Sequence, residues 1–128
     1  MDLSSQRQYI QRAVNAKLDV SGTTSLETIY TAPTGGDFDF AIVESLLVGD
    51  DGNQQTDIDI VITSGATNHY VWKNHNITAY ETQEMLSKSL ILTAGEILKI
   101  QVNHANINVT ASVVEYAKGD QLDRDWEN

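Results

Sequence analysis

Apolar and polar residues alternate with a period of two through most of this chain, which is the pattern of strands with one buried and one wetted face. The clearest runs lie in the second half. Leu98, Ile100 and Val102 alternate with Lys99 and Gln101, and beyond the polar stretch 103–106, Ile107, Val109, Ala111 and Val113 alternate with Asn108, Thr110 and Ser112. These runs predict two strands joined as an antiparallel hairpin. Upstream, Val14, Ala16, Leu18 and Val20 alternate with Asn15, Lys17 and Asp19 and predict a first strand. Residues 26–31 predict a second, closed by Pro33, which cannot donate to a ladder, and by Gly35 and Gly36. Over 38–48, Phe38, Phe40, Ile42, Leu46 and Val48 share one face with Glu44, while Ala41, Val43 and Leu47 share the other with Asp39 and Ser45. A strand with two partly apolar faces is expected near a sheet centre or against a subunit partner. Ile58, Ile60 and Ile62 alternate with Asp57, Asp59 and Val61, and a turn at 64–67 leads into a strand over 69–73.

Seven or eight strands are predicted, and no segment carries a convincing 3.6-residue period. The expected fold class is therefore all-β, an antiparallel two-sheet sandwich or jelly roll. The expected organisation is a short N-terminal arm over 1–13, a β-sandwich domain over 14–117 and an acidic C-terminal tail over 118–128. Residues 4–12 have room for one or two helical turns behind Ser4, too short to persist without a packing partner.

A length of 128 residues suits one core and one domain. The chain has no cysteine, which excludes disulfides and thiolate metal sites. Its 18 acidic against 8 basic side chains give a net charge of −10. No Lys/Arg cluster is interleaved with aromatics, so no nucleic-acid partner is expected. No apolar run approaches the ~20 residues of a bilayer span, and the first residues lack a signal-peptide core. The expectation is a soluble chain with no membrane partner, in which the sequons at 76–78 and 108–110 are chance occurrences.

Candidate chemistry is sparse. The acidic stretch 50–57 resembles a calcium loop, but counting from Asp51 puts Thr56 where the loop needs glycine and Ile62 where it needs glutamate, so a solvated turn is expected. His69, His75 and His104 lack metal-ligand spacing, and no nucleophile-elbow or phosphate-loop pattern is present. No cofactor and no enzymatic activity are expected. Interaction residues are better marked. Tyr70 and Trp72 fall on one predicted strand face with His75 and Tyr80 nearby, a surface for a partner, with a core position for Trp72 as the alternative. Val43 marks a possible subunit contact on the 38–48 strand. Arg7, Tyr9, Ile10 and Arg12 suit an acidic, partly apolar neighbour, and Leu122 and Trp126, four apart in the tail, are spaced to anchor on a neighbour or else belong to a frayed end.

One resemblance extends over roughly residues 14–116. Residues 28–33 (TIYTAP) close an early strand, Tyr70-Val71-Trp72 precede a polar loop, and 82–87 (TQEMLS) form a link. Residues 90–102 (LILTAGEILKIQV) and 108–115 (NVTASVVE) then follow. This order is similar to small β-sandwich virion proteins of tailed bacteriophages. The resemblance implies a non-enzymatic virion structural protein on the outer surface of the particle, soluble in the host cytoplasm before assembly. It decorates or cements the capsid or, alternatively, belongs to the neck or tail fibre. The implied partners are copies of itself, as a homotrimer, and a major capsid protein or neck and tail proteins. From another class, the competing reading is a carbohydrate-binding module that uses Tyr70, Trp72 and His75 as a sugar platform.

Overall fold

The structure, a computed structural model, describes residues 10–35 and 38–117. Among them are nine β-strands and no helix: β1 (Ile10–Asp19), β2 (Glu27–Thr31), β3 (Phe40–Asp50), β4 (Thr56–Ser64), β5 (Thr67–Ile77), β6 (Thr82–Glu84), β7 (Leu90–Leu92), β8 (Ile97–Val102) and β9 (Ile107–Ala117). They form two antiparallel sheets. Sheet A has the order β1-β9-β3-β6, with β7 also on β3, and sheet B has the order β2-β8-β4-β5. The pairing is nested about the tight β4–β5 turn at Gly65 (φ 62°): β4 with β5, β3 with β6 and β7, β2 with β8, and β1 with β9. A long ribbon folded at its middle and wrapped so that successive pairs alternate between sheets is a jelly roll. The expected all-β sandwich is therefore the observed fold.

Where the chain departs from the alternation reading, the cause is which sheet a strand joins. β8 and β9, expected as a hairpin, do not pair. β8 lies between β2 and β4 in sheet B, and β9 lies between β1 and β3 in sheet A. The 103–106 connection crosses the sandwich, held by Asp51 N–H to Asn106 O (2.9 Å) and Asn103 N–H to Asp57 O (3.2 Å). Their buried faces meet across the core: Leu98, Ile100 and Val102 from one side, Ile107, Val109, Ala111 and Val113 from the other. Likewise β1 begins at Ile10, so residues 10–13 of the expected arm lie in the sheet, paired in register from Ile10 opposite Ala117 to Asp19 opposite Asn108.

Strand β3 resolves the puzzle of two apolar faces. Its register against β9 slips between Val43 and Ser45, so two residues of β3 span one step of β9. This is a β-bulge, and the extra residue reverses the parity of everything after it. Ala41 and Val43 point inward before it, Leu46 and Val48 point inward after it, and all four are completely buried. Val43 is therefore a core residue and not the subunit contact it was expected to be, because the bulge brings both halves of the apolar pattern into one core. The same device in β2, between Thr28 and Tyr30, buries the consecutive Ile29 and Tyr30.

One end of the core holds a charge. Glu115 continues the inward parity of Val109, Ala111 and Val113 and is 6% exposed, and Arg12, directly opposite on β1, continues that of Val14, Ala16 and Leu18. The Arg12 guanidinium bonds the Glu115 carboxylate (Nε to Oε1, 2.9 Å) and lies 4.0 Å over the Phe38 ring, while the Tyr30 hydroxyl donates to Oε2 from sheet B. Burial, with the negative Glu115 beside it, pushes the Tyr30 hydroxyl far above its ordinary range, so it remains a donor. The cluster ties β1, β9 and β2 together across the two sheets.

Two outcomes follow from this core. Val43→Asp places an unpaired charge among packed aliphatic groups and should abolish the near-ultraviolet circular dichroism of the folded chain; a folded V43D protein would contradict the core position. Tyr30→Phe should cost about 1–3 kcal/mol in urea unfolding, because a buried carboxylate oxygen loses its donor. In a double-mutant cycle with Glu115→Gln the two changes should be non-additive by more than about 0.5 kcal/mol.

Candidate interaction surface

The outward face of sheet A carries an apolar band. Register aligns Ile91 (β7), Ile42 (β3), Val114 (β9) and Ala13 (β1) side by side across four strands. In the next row Phe40 and Tyr116 stack in parallel, with centroids 5.0 Å apart and planes 5° apart, beside Gln11. Ile91 is 64% exposed, so the band is in contact with solvent at its β7 end. Past the bulge the face turns polar, with Ser45, Ser112 and Asn15 in one row, although Leu47 (39% exposed) adds an apolar point one row further on. A band of aliphatic and aromatic side chains on a solvent-facing sheet, bordered by hydroxyl and amide groups, has the composition of a protein contact. Isoleucine or valine at a parity position that alternation reserves for polar groups was the available signal, in Ile42, Ile91 and Val114.

A second feature lies at the open side of the sandwich, where edge strand β5 of sheet B faces the chain between β6 and β7. The 84–86 corner is pinned on both sides. Met85 N–H donates to Leu46 O (2.8 Å), and the Trp72 indole N–H donates to Met85 O (2.7 Å). Glu84 accepts from the Ser45 hydroxyl and from the N–H groups of Leu46 (2.8 Å) and Leu86 (3.3 Å). Beside this corner is a groove of about 210 Å³, lined by Val71, Trp72, Met85, Leu86 and Leu90 with Ser87, Lys88 and Ser89. Burial opposes the charge on Glu84, but its hydroxyl and backbone donors outweigh burial and hold the carboxyl below its ordinary range.

Tyr70 and Trp72 do not share a face. The β4–β5 register sets Tyr70 opposite Val61 and Trp72 opposite Ile60, so an extra residue at Val71 separates them. Trp72 turns towards the inward side and rests against His75 at 4.5 Å, with planes 49° apart, whereas Lys73 Nζ lies 4.7 Å over the half-exposed Tyr70 ring. No coplanar aromatic platform results. Arg12 is committed to Glu115, and Ile10 contributes backbone pairing to Ala117. Arg7, Tyr9, Leu122 and Trp126 lie outside the described residues. The 50–57 loop is a hydrogen-bonded corner: Asp50, 3% exposed, accepts from Gly52 N–H (3.0 Å), the Thr56 hydroxyl (3.2 Å) and the Asn106 amide. Among the described residues no group of three or more His, Cys, Asp or Glu side chains is placed to hold a metal ion.

No protein-family model matches the chain, and no curated protein sequence matches it. Solved structures do. A pentameric capsid protein isolated from metagenomic phage sequences is 19% identical over 84% of this chain and 62% of that one, with a TM-score of 0.47. A second structure of such a protein, solved by iodide phasing, has the same identity and TM-score and is covered over 65% of its length. A chain in the structure of infectious bursal disease virus, Gx strain, is 13% identical over 85% of this chain and 33% of that one, with a TM-score of 0.53. The present chain thus spans about 62–65% of the phage proteins and a third of the bursal disease virus chain, with which it shares the fold.

The depressed Glu84 carboxyl sets a direction with pH. A group whose folded value lies below its unfolded value, about 4.3 for glutamate, contributes stability that is present above the unfolded value and lost as pH falls through the folded one. The groove corner should therefore loosen on acidification below about pH 4. Hydrogen exchange at the Leu46 and Leu86 amides, measured against the Glu84→Gln variant, is the check: protection should fall with pH in the native chain and stay flat relative to it in the variant.

Proposed function

We propose that this chain is a non-enzymatic structural protein of a virus particle, which decorates or cements the shell through contacts made by the outer face of sheet A. The observation that carries this reading is the four-strand apolar row Ile91–Ile42–Val114–Ala13, a solvent-facing surface built on paired strands of a rigid sandwich. Two things support it: the fold is shared with a chain of a virus structure at a TM-score of 0.53, and the order of the sequence segments over roughly 14–116 resembles small virion proteins of tailed phages. A surface on paired strands is preorganised, so little ordering cost opposes docking. Many copies on a lattice then convert weak contacts into firm attachment. Self-association, as a trimer, uses the same face in this reading, because Ile42 and Leu47 are the aliphatics of the 38–48 strand left outside the core, whereas Val43 is buried in it. The sugar-platform alternative finds less support, since the Trp72 and His75 rings are tilted and Lys73 covers Tyr70.

The test is attachment. Ile91→Asp, at an exposed position, should leave the melting temperature within about 3 °C of the parent while lowering co-sedimentation with particles and the sedimentation coefficient of the free protein. Copy number per purified particle separates the sites: hundreds accord with shell decoration, a dozen or so with neck or tail. Unchanged attachment by I91D would remove this face from the reading.

A further inference from the structure

We infer that the groove between β5 and the 85–90 segment is the seat of this chain's own C-terminal segment, residues 119–128, which anchors there through Leu122 and Trp126. The inference stands apart from the virion reading. It rests on the groove's lining, its charge and its distance from the end of β9.

The groove floor is aliphatic and aromatic, from Val71, Trp72, Leu86 and Leu90, and among the described residues its one charged lining residue is Lys88. Among the described residues no carboxylate lines it, in a chain with 18 acidic side chains and a net charge of −10. The neighbouring carboxylates are occupied elsewhere: Glu44 accepts from the Ser89 hydroxyl (3.2 Å), and Glu84 is bound to Ser45, Leu46 and Leu86. An apolar trough with a single cation selects a segment with large apolar anchors set among acids. Residues 119–128 are such a segment, with Leu122 and Trp126 among four acids, Asp120, Asp123, Asp125 and Glu127, against one cation, Arg124.

The reach is sufficient within one chain. Leu90 pairs with Val43, and Val43 with Val113, four residues before Ala117 on β9. The groove's β7 end is therefore about 10 Å across and ~13 Å along the sheet from Ala117. Eleven residues beyond Ala117 extend up to ~36 Å, and Leu122 is the fifth of them. Attachment within one chain has an effective concentration in the millimolar range for short flexible links, which favours the chain's own segment over a neighbour's.

The absence of native cysteine permits a direct test in the full-length chain. Ser89→Cys combined with Gln121→Cys places thiols at the groove and beside the anchors. Ser112→Cys with Gln121→Cys is the control, on the outer face of sheet A and five residues from Ala117. Ser89 and Ser112 lie outside the core, and circular dichroism checks that the variants fold. Under mild oxidation the groove pair should form an intrachain disulfide at least about tenfold faster than the control, read as a mobility shift on a non-reducing gel. Replacing Leu122 and Trp126 by alanine should return the rate to the control, and Lys88→Glu should slow it severalfold. Equal rates for the two pairs, a disulfide formed between chains, or a rate indifferent to the anchors or to Lys88 would each overturn the inference.

Discussion

The double pairing of β9 is the constraint on which the rest of the molecule depends. Its residues from Ile107 to Ala117 bond to β1 on one side and to β3 on the other, and its inward side chains meet those of β8 across the core. Its neighbours are less regular, β1 being a sheet edge and β3 carrying a bulge, whereas β9 keeps every second residue buried from Ile107 to Ala117. The parity of β9 decides which residues of its neighbours can face inward, because paired residues share a face. This is how a buried glutamate on β9 and a partly exposed arginine on β1 come to oppose each other at one end of the core. Their ion pair is tolerated because the guanidinium keeps one side in solvent, and the tyrosine from sheet B satisfies the second carboxylate oxygen.

Bulges are the second organising device, and they decide what is surface. In β3 a single inserted step moves Leu46 and Val48 to the inside, leaving Ile42 and Leu47 outside on the same strand. In β5 inserted residues divide Tyr70 from Trp72 and bring the indole to the corner that closes the open side of the sandwich. The apolar band and the groove are thus both products of the register. Each collects residues far apart in the chain, and neither exists on an isolated strand.

Much of the fold was legible because burial and period two coincide. Val14, Ala16 and Leu18, the isoleucines of β4, and the runs of β8 and β9 all sit in strands with the expected faces. What alternation does not encode is the partner. A four-residue polar stretch such as 103–106 serves a hairpin and a cross-sheet arch equally well, and nothing local distinguishes them. Bulges are invisible for the same reason: a strand with two apolar faces and a strand with a parity switch have the same composition, so Val43 read as surface. The candidate surfaces were legible in part. Trp72 marked the groove region by its type, whereas the band needed three separate strands to be placed side by side before Ile42, Ile91 and Val114 became one feature.

Nested pairing also sets an order of events during synthesis. Among the described strands β1 is made first, yet the one it pairs with, β9, lies about a hundred residues later, as the separation of 103 between Arg12 and Glu115 measures. At ~5–20 residues per second a ribosome delivers β9 several seconds after β1, and until then sheet A has no centre. Its polar outer residues Asn15, Lys17 and Asp19 keep the waiting strand soluble. The innermost pair, β4 and β5, needs only a two-residue turn and can close at once. The sandwich is therefore built from its middle outward, and the two strands that seal it are the earliest and the latest of its nine described strands to leave the ribosome.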